Sequence, residues 1–135
     1  MFYTYLMSKT IFEQIIDGTI PCHKIYEDET TLAFLDINPV QPGHTLVIPK
    51  QPVEFVWDLD QNAYADLMTT VQKVAQHIRS SLNAEHVGSK IVGVDVPHAH
   101  VHLIPFATLD QFNQNPPTNE PDHEALAAMA QTLAF

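Results

Sequence analysis

One cysteine, Cys22, stands in the whole chain of 135 residues, so no internal disulfide can brace it. None is needed, because a chain of this length buries roughly 70% of the surface its unfolded form exposes. Such cysteine usage fits a reducing cytoplasm. Basic residues are also scarce: six Lys and Arg stand against sixteen Asp and Glu, a formal charge of −10. A nucleic-acid groove needs a basic footprint, and so does binding to an anionic membrane surface; both partners are disfavoured. A small anionic ligand remains open to a site that gathers positive charge or donors locally. No apolar run approaches the roughly 20 residues of a membrane span. The opening stretch MFYTYLMSKT has no basic region before its short apolar patch, so it does not read as a signal peptide. Met7 is a second candidate start, and residues 1–8 are expected to be an extension without functional weight. Internal repeats are absent.

Residues 9–135 read as one domain. Thr10 and Glu13 fit a capping box, in which hydroxyl and carboxylate satisfy each other's backbone amides, for a helix from Thr10 to Ile16 that Gly18 ends. KIYED and TLAFLDI read as two strands with a turn at Asp28–Thr30, and HTLVIPK as a third that Pro49 stops. After Pro52, VEFVWDL suggests a short helix. Asp60 then caps a long one, with Tyr64, Leu67, Met68, Val71, Val74, Ala75, Ile78 and Leu82 on its apolar face. Lys90 to Val96 and His98 to Ile104 are expected to be the last two strands. The polar, proline-rich stretch at about 110–121 reads as an exposed linker, and DHEALAAMAQTLAF as a C-terminal helix. Runs of strands around one long helix predict α+β, an antiparallel sheet with helices on one side.

The stretch VPHAHVHLIP, residues 96–105, carries three of the chain's eight histidines. On a strand, alternate side chains share a face. His98, His100 and His102 therefore point one way, and Ala99, Val101 and Leu103 the other. Histidines make up about one residue in seventeen, so a polar outer face of this kind by chance is improbable. A metal site is a second reading, since imidazole nitrogen ligates zinc. His98 and His102 are, however, ~13 Å apart along a regular strand, so three ligands cannot easily converge from it. Two could, with His44 or an acid, but neither CxxC nor HExxH accompanies the row. The third reading suits the spacing better. One histidine attacks a phosphorus centre, and its neighbours donate hydrogen bonds to the oxygens on either side.

The chain resembles the histidine triad (HIT) family, whose signature is His-x-His-x-His followed by two apolar residues, here HAHVHLI. TIFEQIIDGTIPCHKIYED resembles the family's N-terminal helix and first strand, and TLAFLDINPVQPGHTLVIPK its next two strands. The match covers most of residues 9–105. It implies a HIT-like fold with a five-stranded antiparallel sheet, one long helix and one or two short ones. It further implies nucleotide binding, with transfer or hydrolysis of a nucleotidyl group, close to a purine nucleoside phosphoramidase. The resemblance makes His100 the nucleophile toward the α-phosphorus, with a nucleotidyl-histidine intermediate. His98 supports it through hydrogen bonds, His102 lies near the phosphate oxygens, and His44 also faces the phosphate. The nucleoside is expected among Phe12, Ile15, Phe34, Asp36, Ile37 and Asn38, with Asp36 accepting from ribose hydroxyls. That chemistry requires neither metal nor cofactor, and the family is commonly homodimeric.

The segment before the triad departs from the family. Many members carry an Asn there, then a Gly-rich loop with a Gln and a small hydroxyl residue. Here SKIVGVDVPHAH has no Asn, Gln, Ser or Thr from Ile91 to His98, and Asp95 stands about where the hydroxyl belongs. A carboxylate beside a phosphate repels it unless protonated or turned away. This departure keeps a second function open, a nucleotide-binding regulatory module with little turnover. A metal-dependent hydrolase using the histidine row is a third. The zinc-type CxxC that some members carry near the N-terminus is also missing, and Cys22 reads as a small buried residue.

Overall fold

The structure, a computed structural model, describes residues 9–135; the extension expected over residues 1–8 lies outside the described residues. The chain runs α1 (Ile11–Ile16), β1 (Lys24–Glu27), β2 (Thr31–Leu35), β3 (Thr45–Pro49), a 3-10 turn (Val56–Asp58), α2 (Gln61–Ser81), β4 (His86–Lys90), β5 (Val101–Phe106), α3 (Leu109–Phe112) and α4 (His123–Leu133). The strands form one five-stranded sheet in the order β1-β2-β3-β5-β4, antiparallel throughout. The α+β class and the antiparallel sheet are as expected. Among the described residues, no helix is long and apolar enough to cross a membrane.

Two cores lie on opposite faces of the sheet, because successive strand residues point to opposite sides. Ala33, Leu35, Val47, Val101 and Leu103 pack with Leu67, Val71, Val74 and Ile78 of α2 and with Leu126 and Leu133 of α4. Leu32, Phe34, Leu46 and Ile48 pack on the other face with Phe12 of α1. The helices are therefore not all on one side, which corrects the expected layering. A six-residue helix covers the second face only in part, and the remainder is where a cleft opens. The capping box that starts α1 is present, Glu13 N donating to Thr10 Oγ1 and Thr10 N to Glu13 Oε1, both at 3.1 Å. On α2, Tyr64 is exposed instead of buried, and Thr70 takes an inward position because its hydroxyl bonds that of Thr31 at 2.7 Å.

The last two strands differ most from expectation. β4 is His86–Lys90, not Lys90 to Val96, and β5 is Val101–Phe106, not His98 to Ile104. The run of Val92, Val94 and Val96 alternates like a strand, yet Gly93 has φ +83° and Val94 is 80% exposed. Pairing decides instead: Gly88 faces Ile104 and Lys90 faces His102. HVGSK has weak strand propensity by itself and is a strand because β5 recruits it. The expected linker also starts later. Leu109–Phe112 forms a helical turn closed by a second capping box, Thr108 with Gln111.

Candidate active site

A cleft of about 610 Å³ opens on the α1 face of the sheet. Of the residues expected at the site, Phe12, Ile15, Phe34, Asp36, Ile37, Asn38, His44, Asp95, His100 and His102 all line it. His98 does not. It lies behind the cleft, 1% exposed, with Nε2 donating to the Pro49 carbonyl at 2.8 Å and its ring edge-to-face with that of Phe12. Its Nδ1 has no hydrogen-bond partner among the described residues. His98 thereby fastens the approach to β5 onto the end of β3. His98 and His100 precede the regular strand, but the backbone stays extended enough for Ala99 and Val101 to face the α2 core.

His100 is 3% exposed and its ring stands edge-to-face with that of Phe12, centroids 5.1 Å apart. Its Nδ1 lies 2.7 Å from the His98 carbonyl. A carbonyl can only accept, so Nδ1 carries a proton, and the neutral ring then has its lone pair on Nε2. That nitrogen is the one left to the cleft. The arrangement meets the requirement for an imidazole nucleophile, a fixed tautomer with its reactive nitrogen open.

His44 and His102 form a relay. Val40 N donates to His44 Nδ1 at 3.0 Å, so the neutral ring carries its proton on Nε2. Nε2 lies 2.9 Å from His102 Nδ1 and donates to it. His102 then presents an Nε2–H donor. Burial lowers the pKa of His44 to about 4, helped by the nearby Lys90 charge. Burial, with His44 and His100 close by, likewise lowers His102 to about 4. Both rings are therefore neutral near pH 7. Asp36 Oδ2 is 3.6 Å from His44 Nε2, beyond a hydrogen bond, and with His44 neutral the two are not an ion pair. Burial raises the Asp36 pKa, against the Asn38 amide that bonds Oδ1 at 2.8 Å.

Asp36, His44 and His102 bring ligand atoms within 4.8 Å of one another, close enough for a metal ion. The hydrogen bonds argue against that use. A cation needs a lone pair on His44 Nε2, and the Val40 amide on Nδ1 keeps the proton there. As arranged, the set fits a donor relay aimed at an anion.

Gly43 makes the turn into His44 possible. Its φ is +93°, and an added Cβ would lie 2.7 Å from Leu82 Cδ1 and 3.2 Å from Pro105 Cγ. Gly43→Val is expected to destabilise the fold by about 2–4 kcal/mol, combining backbone strain with overpacking. Urea unfolding measures this, and an unchanged midpoint would mean the turn relaxes freely.

Several lining residues were not expected from the sequence. Ile11, Ile20 and Cys22 extend the apolar wall near Phe12, and burial raises the Cys22 thiol pKa. Lys90, on the edge strand β4, lines the cleft as well, as do Asn113, Gln114, Asn115 and Pro116. The latter four come from the stretch read as a linker, where polarity and prolines hid a surface role.

A HIT domain profile matches residues 17–109. An adenosine 5′-monophosphoramidase of Schizosaccharomyces pombe is 40% identical over 96 residues, covering 70% of this chain and 72% of that protein. An asymmetrical bis(5′-nucleosyl)-tetraphosphatase of the same yeast is 41% identical over 96 residues, 67% of this chain and 52% of that protein. Among solved structures, a Hit-like protein of Bartonella henselae superposes with a TM-score of 0.79 at 30% identity, covering 93% of this chain and 94% of that one.

Proposed function

The chain belongs to the histidine triad family, and on that premise we propose that it is a nucleotide hydrolase or nucleotidyl transferase working at the α-phosphate through a covalent intermediate on His100. The observation that carries this reading is the His100 ring. Its Nδ1–H is spent on the His98 carbonyl at 2.7 Å, which in the neutral ring places the lone pair on Nε2, and His100 lines the cleft. The base fits between Phe12, Ile15, Phe34 and Ile37, and Asp36 accepts from the ribose hydroxyls. His102, held by His44, donates to an oxygen of the α-phosphate as charge builds there. The two S. pombe relatives bear the names of a phosphoramidase and a tetraphosphatase; an adenylyl group held on His100 serves either leaving group.

The experiment is mass spectrometry of the protein quenched during turnover of an adenosine 5′-phosphoramidate. An adenylyl group on His100 is expected. Product formed with no adduct on any histidine would sink the covalent route. AMP bound without adduct or product would favour the binding-module reading, which the donor-free stretch from Ile91 to Pro97 motivates. A homodimer suits the outer edge of β4, which is unpaired among the described residues, and sedimentation velocity tests it.

A further inference from the structure

We propose that Lys90, with the amide side chains of Asn113, Gln114 and Asn115, forms a subsite for an anionic leaving group and favours nucleotides whose α-phosphate is joined to another phosphate. This deepens the reading above and rests on attack by His100. Three observations support it.

The first is a row across the sheet. Phe34 pairs with Leu46, Leu46 with His102, and His102 with Lys90. Direct cross-strand partners share a face, and strands stand ~4.8 Å apart, so the row spans about 14 Å. It passes from aromatic, through imidazole, to ammonium. A nucleotide with its base at Phe34 and its α-phosphate at His102 places the leaving group at Lys90.

The second is how the far wall is fastened. The Phe112 ring packs where a side chain on Gly88 would be, since an added Cβ there would lie 2.4 Å from Phe112 Cε1. Lys90 Nζ rests 4.6 Å from the centre of that ring and 3.4 Å from the Phe112 carbonyl. Gln41 Nε2 donates to the Gln111 carbonyl at 3.0 Å and to Gln114 Oε1 at 2.9 Å. Held by its oxygen, Gln114 keeps its amide nitrogen as a donor.

The third is charge. Lys90 is the one Lys or Arg among the described residues lining the cleft, where Asp36 and Asp95 are both acidic. From Ile91 to Pro97 no side chain donates a hydrogen bond. Lys90 and the amides stand where those donors are otherwise missing.

In the first step, the His100 Nε2 lone pair forms a bond to the α-phosphorus, and the bond from that phosphorus to the bridging oxygen breaks. The leaving phosphate departs with the electron pair as a stable anion facing Lys90. It needs no proton, whereas an amine leaving group does. Water then bonds to the phosphorus, the P–N electron pair returns to Nε2, one proton of the water passes to solvent and the other stays on the phosphate. The products are a nucleoside monophosphate and the released phosphate compound.

The test compares kcat/KM on diadenosine tetraphosphate and on adenosine 5′-phosphoramidate. Lys90→Gln is expected to lower the ratio of the first to the second by about 10–100-fold, and Lys90→Arg to keep it within about fivefold. A change confined to folding would lower both values together. An unmoved ratio in Lys90→Gln overturns the subsite, as does a wild-type protein that turns over only the phosphoramidate. In both cases an adenylyl-His100 adduct still leaves the His100 reading standing. If neither substrate reacts and no adduct forms, that reading falls and the subsite falls with it.

Discussion

His100→Asn is expected to lower nucleotide turnover by about 10⁴-fold or more while the domain stays folded. As the proposed nucleophile, His100 supplies a bond that no neighbour can replace. His44 and His102 are joined to each other in a donor relay, and His98 is turned away to the Pro49 carbonyl. The asparagine amide can still donate to the His98 carbonyl that Nδ1 holds at 2.7 Å. It is smaller than the imidazole, so the contact with Phe12 weakens and a stability loss of about 1 kcal/mol is expected. Activity and stability therefore separate. Steady-state hydrolysis of an adenosine phosphoramidate, with thermal unfolding run in parallel, measures both. A folded variant that turns over at the wild-type rate would remove His100 from the nucleophile position. A variant that fails to fold would show that the buried ring is needed for packing; the adduct on the wild-type protein then decides its chemistry.

The placement of His100 and His102 on the cleft was legible because alternation and resemblance pointed at the same residues; His98 lies behind it. Phe12, Phe34, Asp36 and His44 were legible by resemblance alone, since nothing in their local pattern separates a cleft wall from plain core. The reading failed where pairing overrode local pattern. Val92 and Val94 alternate like strand residues, yet a Gly with positive φ lifts them into an exposed loop. The true strand, His86–Lys90, contains a Gly and a Ser and is selected by its partner β5. That shift hid Lys90, which read as the start of a strand and is in fact the cross-strand neighbour of His102. The stretch from Asn113 to Pro116 was hidden for a different reason. Its polarity is equally suited to a solvated linker, and it takes the Phe112–Gly88 contact, Lys90 on Phe112 and the Gln41 bonds to hold it at the cleft.

Acid is expected to destabilise the protein in two separate windows, and the upper one belongs to the relay. His44 and His102 have pKa values lowered from 6.5 to about 4. Between those values the unfolded chain holds protons that the folded chain refuses, so stability falls as pH drops. It is full above pH 6.5 and is lost progressively toward pH 4. Each ring taken alone corresponds to a ceiling of about 3 kcal/mol. The rings share one hydrogen bond, so about 3 kcal/mol is expected for the pair. His98 is lowered by burial too and adds in the same direction. Asp36 opposes near its own titration, because burial raises its pKa and the folded state then takes up its proton more readily. The lower window belongs to carboxylates. Burial pushes Asp28 up, but hydrogen bonds from Thr30, Tyr26 and Thr31 outweigh it and hold the group at about 2. Its contribution is present above about pH 3.8 and is lost as pH falls toward 2. Thermal unfolding from pH 8 to pH 4.5 isolates the upper window, where a drop of roughly 10 °C is expected. His44→Gln removes one titrating ring and is expected to flatten the slope while lowering the plateau. A melting temperature level from pH 6.5 to pH 4.5 would mean that both rings protonate freely in the fold, and a neutral donor relay at the α-phosphate would lose its physical basis.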